Sequence, residues 1–344
     1  MPRLAITLGD VTGIGPEVLS RAWATGELLA AATPLVVGRA AIIQSALDDL
    51  RLPITVQPIT APAHADPTPA RLPVLDVETA DLSTVRPATI DPRAGRAAYD
   101  FLVHAAQLAL AGEVDALVTL PLHKEALRAA GIAEPGHTEI LARLCGGVEH
   151  AMMLYVPHPV AAGPAGLGVV HATLHVALRE VFDLLTTDRI LAAIRLADSG
   201  LRPFTGDRPP RIGVAGLNPH AGEHGLFGRE EIETIAPAVE RARSLGLNAN
   251  GPIAADTLFK AAFEGADDAV VAMYHDQGHV ALKTRAFAHA VNVTLGLPIV
   301  RASVAHGTAH DIAGQGVADP TSLLEAVRVA AHLAQYRRTH PHPA

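Results

Sequence analysis

Short apolar runs alternate with segments of helical period along nearly the whole chain. Leu4–Leu8, Leu35–Val37 and Val114–Leu120 read as strands, while Ala40–Leu50 and Ala94–Ala111 carry helical spacing. A helix starts near Pro16 and another follows Gly136-His-Thr-Glu139. This alternation predicts an α/β protein with substantial parallel sheet. The proline-rich stretches Gln57–Pro73 and Leu201–Arg211 read as irregular connections, and Arg337–Ala344 as a polar, frayed end.

Three of the apolar runs end in a histidine: Gly168–His175, Ile212–His220 and Ala269–His275. Buried parallel strands read as near-continuous apolar runs, and in open sheets ligands bind beyond the strands' carboxyl ends. Three imidazoles delivered there can converge on one divalent metal with an open face for substrate; equally, some can be satisfied core imidazoles. Their separations, 45 and 55 residues by subtraction, match no local metal motif, so the strand-end setting carries the idea. His171 lies earlier in its run and reads as structural. Asp276 is either a further ligand or a partner that orients an imidazole.

Composition narrows the function classes. A chain of 344 residues has room for two domains, and 49% hydrophobic with 18% charged content describes a compact enzyme. The net charge of -8 gives no reason to expect nucleic acid or an anionic membrane surface as partner. One cysteine, Cys145, excludes an intrachain disulfide framework and Cys-rich metal sites. Met1-Pro2-Arg3 runs straight into a strand without a signal-peptide pattern, and no apolar stretch reaches the roughly 18 residues of a membrane span, so a cytoplasmic setting is expected. Only three lysines accompany 24 arginines, and two of them, Lys124 and Lys283, follow apolar runs in polar segments. A retained lysine hints at a need for a compact ammonium.

Further motifs carry polar chemistry. Gly9-Asp-Val-Thr-Gly-Ile-Gly-Pro-Glu17 joins a strand to a helix and is either a tight turn or an anion or cofactor loop; it matches neither a Rossmann fingerprint nor a P-loop. Gly136-His137-Thr138-Glu139 opens a helix, with Thr138 as candidate N-cap and the helix dipole favouring an anion. Lys283, Asn292 and Arg301 bring an ammonium, an amide and a guanidinium, a set able to clamp a phosphate, or else lie on a solvated face.

Together these motifs resemble the 4-hydroxythreonine-4-phosphate dehydrogenases of pyridoxal phosphate biosynthesis, from Gly9–Glu17 to Asp311-Ile-Ala-Gly314. The most specific pieces are Gly136–Glu139, Leu217-Asn-Pro-His-Ala-Gly-Glu223, Ala255-Asp-Thr257, Met273-Tyr-His-Asp-Gln-Gly278 and Val291–Pro298. The resemblance implies a two-domain α/β/α fold similar to isocitrate and isopropylmalate dehydrogenases, with the active site in the interdomain cleft. It implies a first domain of residues 1–138 with 290–344 and a second of 139–289, in a homodimer whose interface completes the site. It implies His175, His220 and His275 as ligands of one divalent metal (zinc, magnesium or cobalt). His137, Thr138, Lys283, Asn292 and Arg301 would contact a small phosphorylated hydroxy acid, and NAD or NADP would be the cofactor, its contacts unassigned. Hydride leaves the carbon bearing the hydroxyl, the resulting β-keto acid can lose carbon dioxide, and Lys283 or Asp276 takes the hydroxyl proton.

The chain departs from the family pattern in places. Val11-Thr12 replaces Pro-Ala, Ala302 stands where threonine is common, and Ala305 stands where the family has aspartate. His279 resembles paralogues acting on 4-phospho-D-threonate or 4-phospho-D-erythronate. An imidazole at 279, four residues from His275, is expected to face the cleft and donate to a substrate hydroxyl or carboxylate. Without a carboxylate at 305, the pair favours a hydroxyl where the biosynthetic substrate has an amine. A metal-dependent phosphoester hydrolase and a sugar-phosphate binding protein are the readings from other classes; neither predicts hydride transfer.

Overall fold

The computed structural model describes residues 1–340 and divides into two compact units, Met1–Glu149 with Leu297–Ala344, and His150–Gly296. In chain order the strands are β1 (Arg3–Thr7), β2 (Thr33–Gly38), β3 (Thr55–Ile59), β4 (Arg71–Asp76), β5 (Ala116–Thr119) and β6 (Ala151–Val156). There follow β7 (Leu167–His171), β8 (Ile212–Ala215), β9 (Ala249–Ile253), β10 (Ala269–Ala272), β11 (Val291–Leu295) and β12 (Arg301–Val304). The division falls later than the resemblance implies at both crossings. The helix His137–Leu144 packs on the helix Pro92–Leu110 and so stays with the first unit. β11 pairs antiparallel with β6, Asn292 opposite Leu154, and so belongs to the second.

The first unit is an all-parallel sheet in the order β3-β4-β2-β1-β5-β12. Leu4, Ala5 and Ile6 of β1 and Leu117 and Val118 of β5 have no exposed surface, as expected of strands covered on both faces. The covering helices begin where the chemistry dictates. Pro16 stands in the first turn of Gly15–Ala24, and the Asp91 carboxylate caps Pro92–Leu110 by accepting the Arg93 N–H at 2.8 Å. Gly95 is obligatory there, because a Cβ would lie 2.2 Å from the Ala126 carbonyl oxygen.

Two of the irregular connections proved more ordered than their prolines suggest. Gln57–Pro73 contains most of β3 and the start of β4; Pro58 is tolerated because β3 is the last strand of the order and pairs on one side only. Leu201–Arg211 begins inside the helix Thr187–Thr205, which accommodates Pro203 in its last turn and ends at Gly206. At the C-terminus the helix Thr321–Thr339 runs through Arg337 and Arg338 instead of fraying; 341–344 lie outside the described residues. Among the described residues no helix is long and apolar enough to cross a membrane.

The second unit has the order β11-β6-β7-β10-β8-β9, antiparallel from β11 to β7 and parallel from β7 to β9. Asp268, fully buried, ties the starts of its central strands together. It accepts from the Arg208 guanidinium at 2.6 and 2.9 Å, and from the Arg211 backbone N–H at 2.8 Å and its guanidinium at 3.0 Å. Burial alone would raise its pKa, but these donors outweigh it and hold the carboxyl at about 2. A carboxyl depressed below its unfolded value near 3.8 adds stability that is complete above that value and lost as pH falls toward 2. Asp268→Asn should therefore cost roughly 2 kcal/mol at pH 7. In urea unfolding, the gap between wild type and variant should narrow at pH 3; a gap that widens there would contradict this assignment.

Candidate functional site

β7, β10 and β8 are adjacent and parallel, and a predicted histidine follows the carboxyl end of each: His175, His275 and His220. Gln277 stitches two of these ends together. Its amide oxygen accepts the Met273 N–H at 2.7 Å, and its amide nitrogen donates to the Gly216 carbonyl, also at 2.7 Å. Both groups lie just beyond a strand, where the ladder can no longer satisfy them. The helix His275–Ala286 starts at this knot, and His275, His279 and Lys283 recur along it at four-residue spacing.

His275 is held on two sides. Its Nδ1 lies 2.6 Å from the Asp276 carboxylate, and its ring stacks on His279 at 3.7 Å between centroids with an 11° tilt. The carboxylate fixes the ring and leaves Nε2 as the outward lone pair, the arrangement common for metal-binding imidazoles. His175 lies at 5.7 Å between centroids. Two imidazoles sharing an ion at about 2.0–2.1 Å from each nitrogen have centroids roughly 5–6 Å apart, a spacing that this pair matches. A cavity of about 550 Å³ opens beside them, lined among others by Leu178, Val181, Tyr274 and Asp276.

His220 sits differently. Residues His220 to His224 all have positive φ, and the His220 side chain is 70% exposed, its Nδ1 3.5 Å from the Glu223 carboxylate. Buried Glu231 anchors this turn: its carboxylate accepts the backbone N–H of Leu217 and of Asn218 at 2.7 Å and the Asn218 amide at 3.0 Å. Gly222 is required here, since its φ is +78° and a Cβ would lie 2.6 Å from the Glu231 carboxylate. Among the described residues no three His, Cys, Asp or Glu side chains stand in an arrangement that could hold a metal ion.

His171 and His279 have a larger part than sequence reasoning assigned. His171, buried at the end of β7, has its Nε2 3.2 Å from His279 Nδ1, which also lies 3.1 Å from the His275 carbonyl oxygen. Burial first, then the neighbouring imidazoles, pushes His171 to about 3; burial, His275 and Lys283 push His279 to about 4. Both are neutral at pH 7. The expectation that His279 faces the substrate as an open donor is therefore corrected: it is 9% exposed and its Nδ1 is engaged inside the unit, supporting His275 from beneath.

Of the predicted phosphate contacts, Lys283 and Asn292 lie in the second unit. Lys283 is half-buried with Nζ 5.7 Å from the Phe287 ring centroid, and burial lowers its pKa. Asn292 presents a buried side-chain oxygen without a hydrogen-bond partner. His137, Thr138 and Arg301 lie in the first unit. Arg301 is 2% exposed and donates to Thr119 Oγ1 at 2.7 and 3.2 Å; burial lowers it to about 10 against the opposing pull of Glu139. His137 is pushed well below the ordinary histidine range by desolvation and then by Arg301. A guanidinium withdrawn from water has the chemistry to attract an anion. The expected N-cap at Thr138 is corrected to Gly136; Thr138 lies in the first turn, and no side-chain cap bond forms.

Comparison with known proteins gives the family. A family model described as pyridoxal phosphate biosynthetic protein PdxA matches residues 30–330. The chain is 43% identical over 342 residues to a 4-hydroxythreonine-4-phosphate dehydrogenase of Trichlorobacter lovleyi, covering 98% of each. It is also 43% identical over 332 residues to a D-threonate 4-phosphate dehydrogenase of Pectobacterium atrosepticum, covering 96% of this chain and 99% of the relative. The crystal structure of 4-hydroxythreonine-4-phosphate dehydrogenase from Klebsiella pneumoniae superposes with a TM-score of 0.86 at 43% identity, covering 97% of this chain and all of that one.

Gly278 supplies a test of the imidazole packing. A Cβ there would lie 2.4 Å from His171 Nε2 and 2.8 Å from Val169 Cγ1, both in the packed interior. Gly→Ala inside a helix ordinarily stabilises by up to about 1 kcal/mol, so the sign is diagnostic. Gly278→Ala should instead destabilise by about 1–3 kcal/mol, seen as a lowered Tm; an unchanged or raised Tm would mean that His171 does not rest on this helix.

Proposed function

We propose that this chain, which belongs to the PdxA family of pyridoxal phosphate biosynthetic proteins, oxidises a 4-phosphorylated 3-hydroxy acid with a nicotinamide dinucleotide as hydride acceptor. The observation that carries the reading is the cluster of His171, His175, His275 and His279 with Lys283 beyond parallel strand ends, beside a cavity of about 550 Å³. The family is one of dehydrogenases, which sets aside hydrolysis and simple binding.

In this reading His175, His220 and His275 are the residues that would hold one divalent metal, and the chemistry it would supply is Lewis acidity toward the substrate hydroxyl. Asp276 keeps the His275 ring oriented. Lys283, its pKa lowered by burial, accepts the hydroxyl proton, since a less basic ammonium is more readily available as the free amine. Arg301 would bind the phosphate, and His137, Thr138 and Asn292 are the further proposed substrate contacts, so that remote binding positions the reacting carbon. A homodimer is part of this proposal. Exposed Leu178, Phe182, Leu226, Phe227, Val280 and Phe287 give the second unit apolar surface for another copy to cover.

A second reading, D-threonate 4-phosphate as the preferred substrate, is favoured by Ala305. The position offers no carboxylate to counter an amine, and its backbone N–H reaches Ser322 Oγ at 3.3 Å. Purified protein with a divalent metal and NAD or NADP should reduce the nicotinamide when given 4-phosphohydroxy-L-threonine, 4-phospho-D-threonate or 4-phospho-D-erythronate. No reduction with any member of this panel would overturn the dehydrogenase reading. Arg301→Ala should lower kcat/KM roughly ten- to hundredfold or more, the loss of a charge-assisted bond of about 1.5–3 kcal/mol, and Lys283→Ala should lower it at least as far through loss of the proton acceptor. With Arg301→Ala the loss should be much smaller for the dephosphorylated hydroxy acid; equal losses would mean that Arg301 does not bind phosphate.

A further inference from the structure

In the first unit the chain leaves β1 for β2 on one side and later enters β5 on the other. The strand order thus reverses between β1 and β5, and in open parallel sheets the ligand crevice lies outside the carboxyl ends at such a point. Three connections meet there, after β1, β5 and β12. The Asp10 N–H donates to the Pro121 carbonyl at 2.8 Å and the Ile14 N–H to the Thr308 carbonyl at 3.0 Å. Gly13 permits the approach, since a Cβ would lie 2.8 Å from Thr308. Thr12 Oγ1 consequently lies 3.2 Å from His310 Nε2, and the half-buried His310 ring is stacked on His123 at 4.8 Å and 13°.

This arrangement sets the tautomer of His310. Asp10 is fully buried, and its Oδ1 accepts both the Thr12 N–H at 2.9 Å and the Thr12 O–H at 2.7 Å. A hydroxyl has one proton, and the carboxylate, the stronger acceptor, takes it. Thr12 Oγ1 therefore faces His310 as an acceptor, so Nε2 carries hydrogen and Nδ1 is the ring nitrogen left to accept. In the sequence Thr12 stands as a departure from the family's alanine, inside a loop read as either a tight turn or an anion or cofactor loop, and His310 has no assigned role.

We propose that Thr12 and His310 form a cofactor-binding pair, His310 accepting a ribose hydroxyl of the nicotinamide dinucleotide and Thr12 acting as the positioning residue behind it. The proposal rests on the dehydrogenase reading above. The substrate's phosphate and carboxylate offer only acceptors to a lone pair, its reacting hydroxyl is assigned above to Lys283, and the buried Asp10 carboxylate disfavours an anion here, whereas a dinucleotide offers ribose hydroxyls as donors. The planar pair of imidazoles suits a flat, weakly polar ligand face.

The test is direct titration of NAD and of ADP-ribose into the metal-supplemented protein by calorimetry, with KM values measured for NAD and for the phosphorylated acid. His310→Phe keeps an aromatic stack and removes the acceptor; it should raise the Kd of both ligands about tenfold, the worth of one hydrogen bond, and leave the KM of the acid unchanged. Thr12→Ala should do the same and Thr12→Ser should restore affinity. Unchanged affinity in His310→Phe, or a loss confined to the acid's KM, would overturn the proposal. Failure of serine to restore affinity would overturn the role of the Thr12 hydroxyl. Wild-type protein that binds NAD while His310→Phe binds it equally would leave the dehydrogenase reading standing alone; wild type that binds no dinucleotide would remove both.

Discussion

One side-chain amide holds the second unit's chemistry in register. Gln277 bonds to Met273 N–H and to the Gly216 carbonyl, groups left open where β10 and β8 end. Those bonds seat the start of the helix His275–Ala286 across adjacent parallel strands, and the imidazoles follow from that seating. His275 begins the helix, His279 lies one turn on beneath it, and Gly278 leaves the space that the His171 ring occupies. The run His-Asp-Gln-Gly-His thus has a physical role at every position: stack, orient, stitch, make room, support.

Burial sets the protonation of these groups. His171 and His279 are held neutral in the interior, where a charged imidazole would lose its hydration without a compensating anion. The same penalty acts in the opposite sense on the first unit's Arg301, whose guanidinium stays charged with Thr119 as an acceptor and Glu139 nearby. Desolvation first, and then this cation, keep His137 beside it neutral.

What the sequence determined by itself was the grammar of the fold and the address of the chemistry. Apolar runs placed β1, β5, β7, β8 and β10, because strands covered on both faces admit almost nothing polar. The three strand-terminal histidines were legible for the same reason, since polarity returns where a strand leaves the core. Resemblance then supplied the reaction class, through long motifs that propensity alone does not interpret. The tertiary structure decided which imidazoles touch, that His279 supports a ring rather than facing substrate, that Glu231 ties the His220 turn, and that Thr12 meets His310. Those contacts join residues as far apart as 108 positions (His171 and His279) and 298 positions (Thr12 and His310). No local periodicity encodes such pairings; they exist only once parallel strands bring their carboxyl ends to one edge of a sheet.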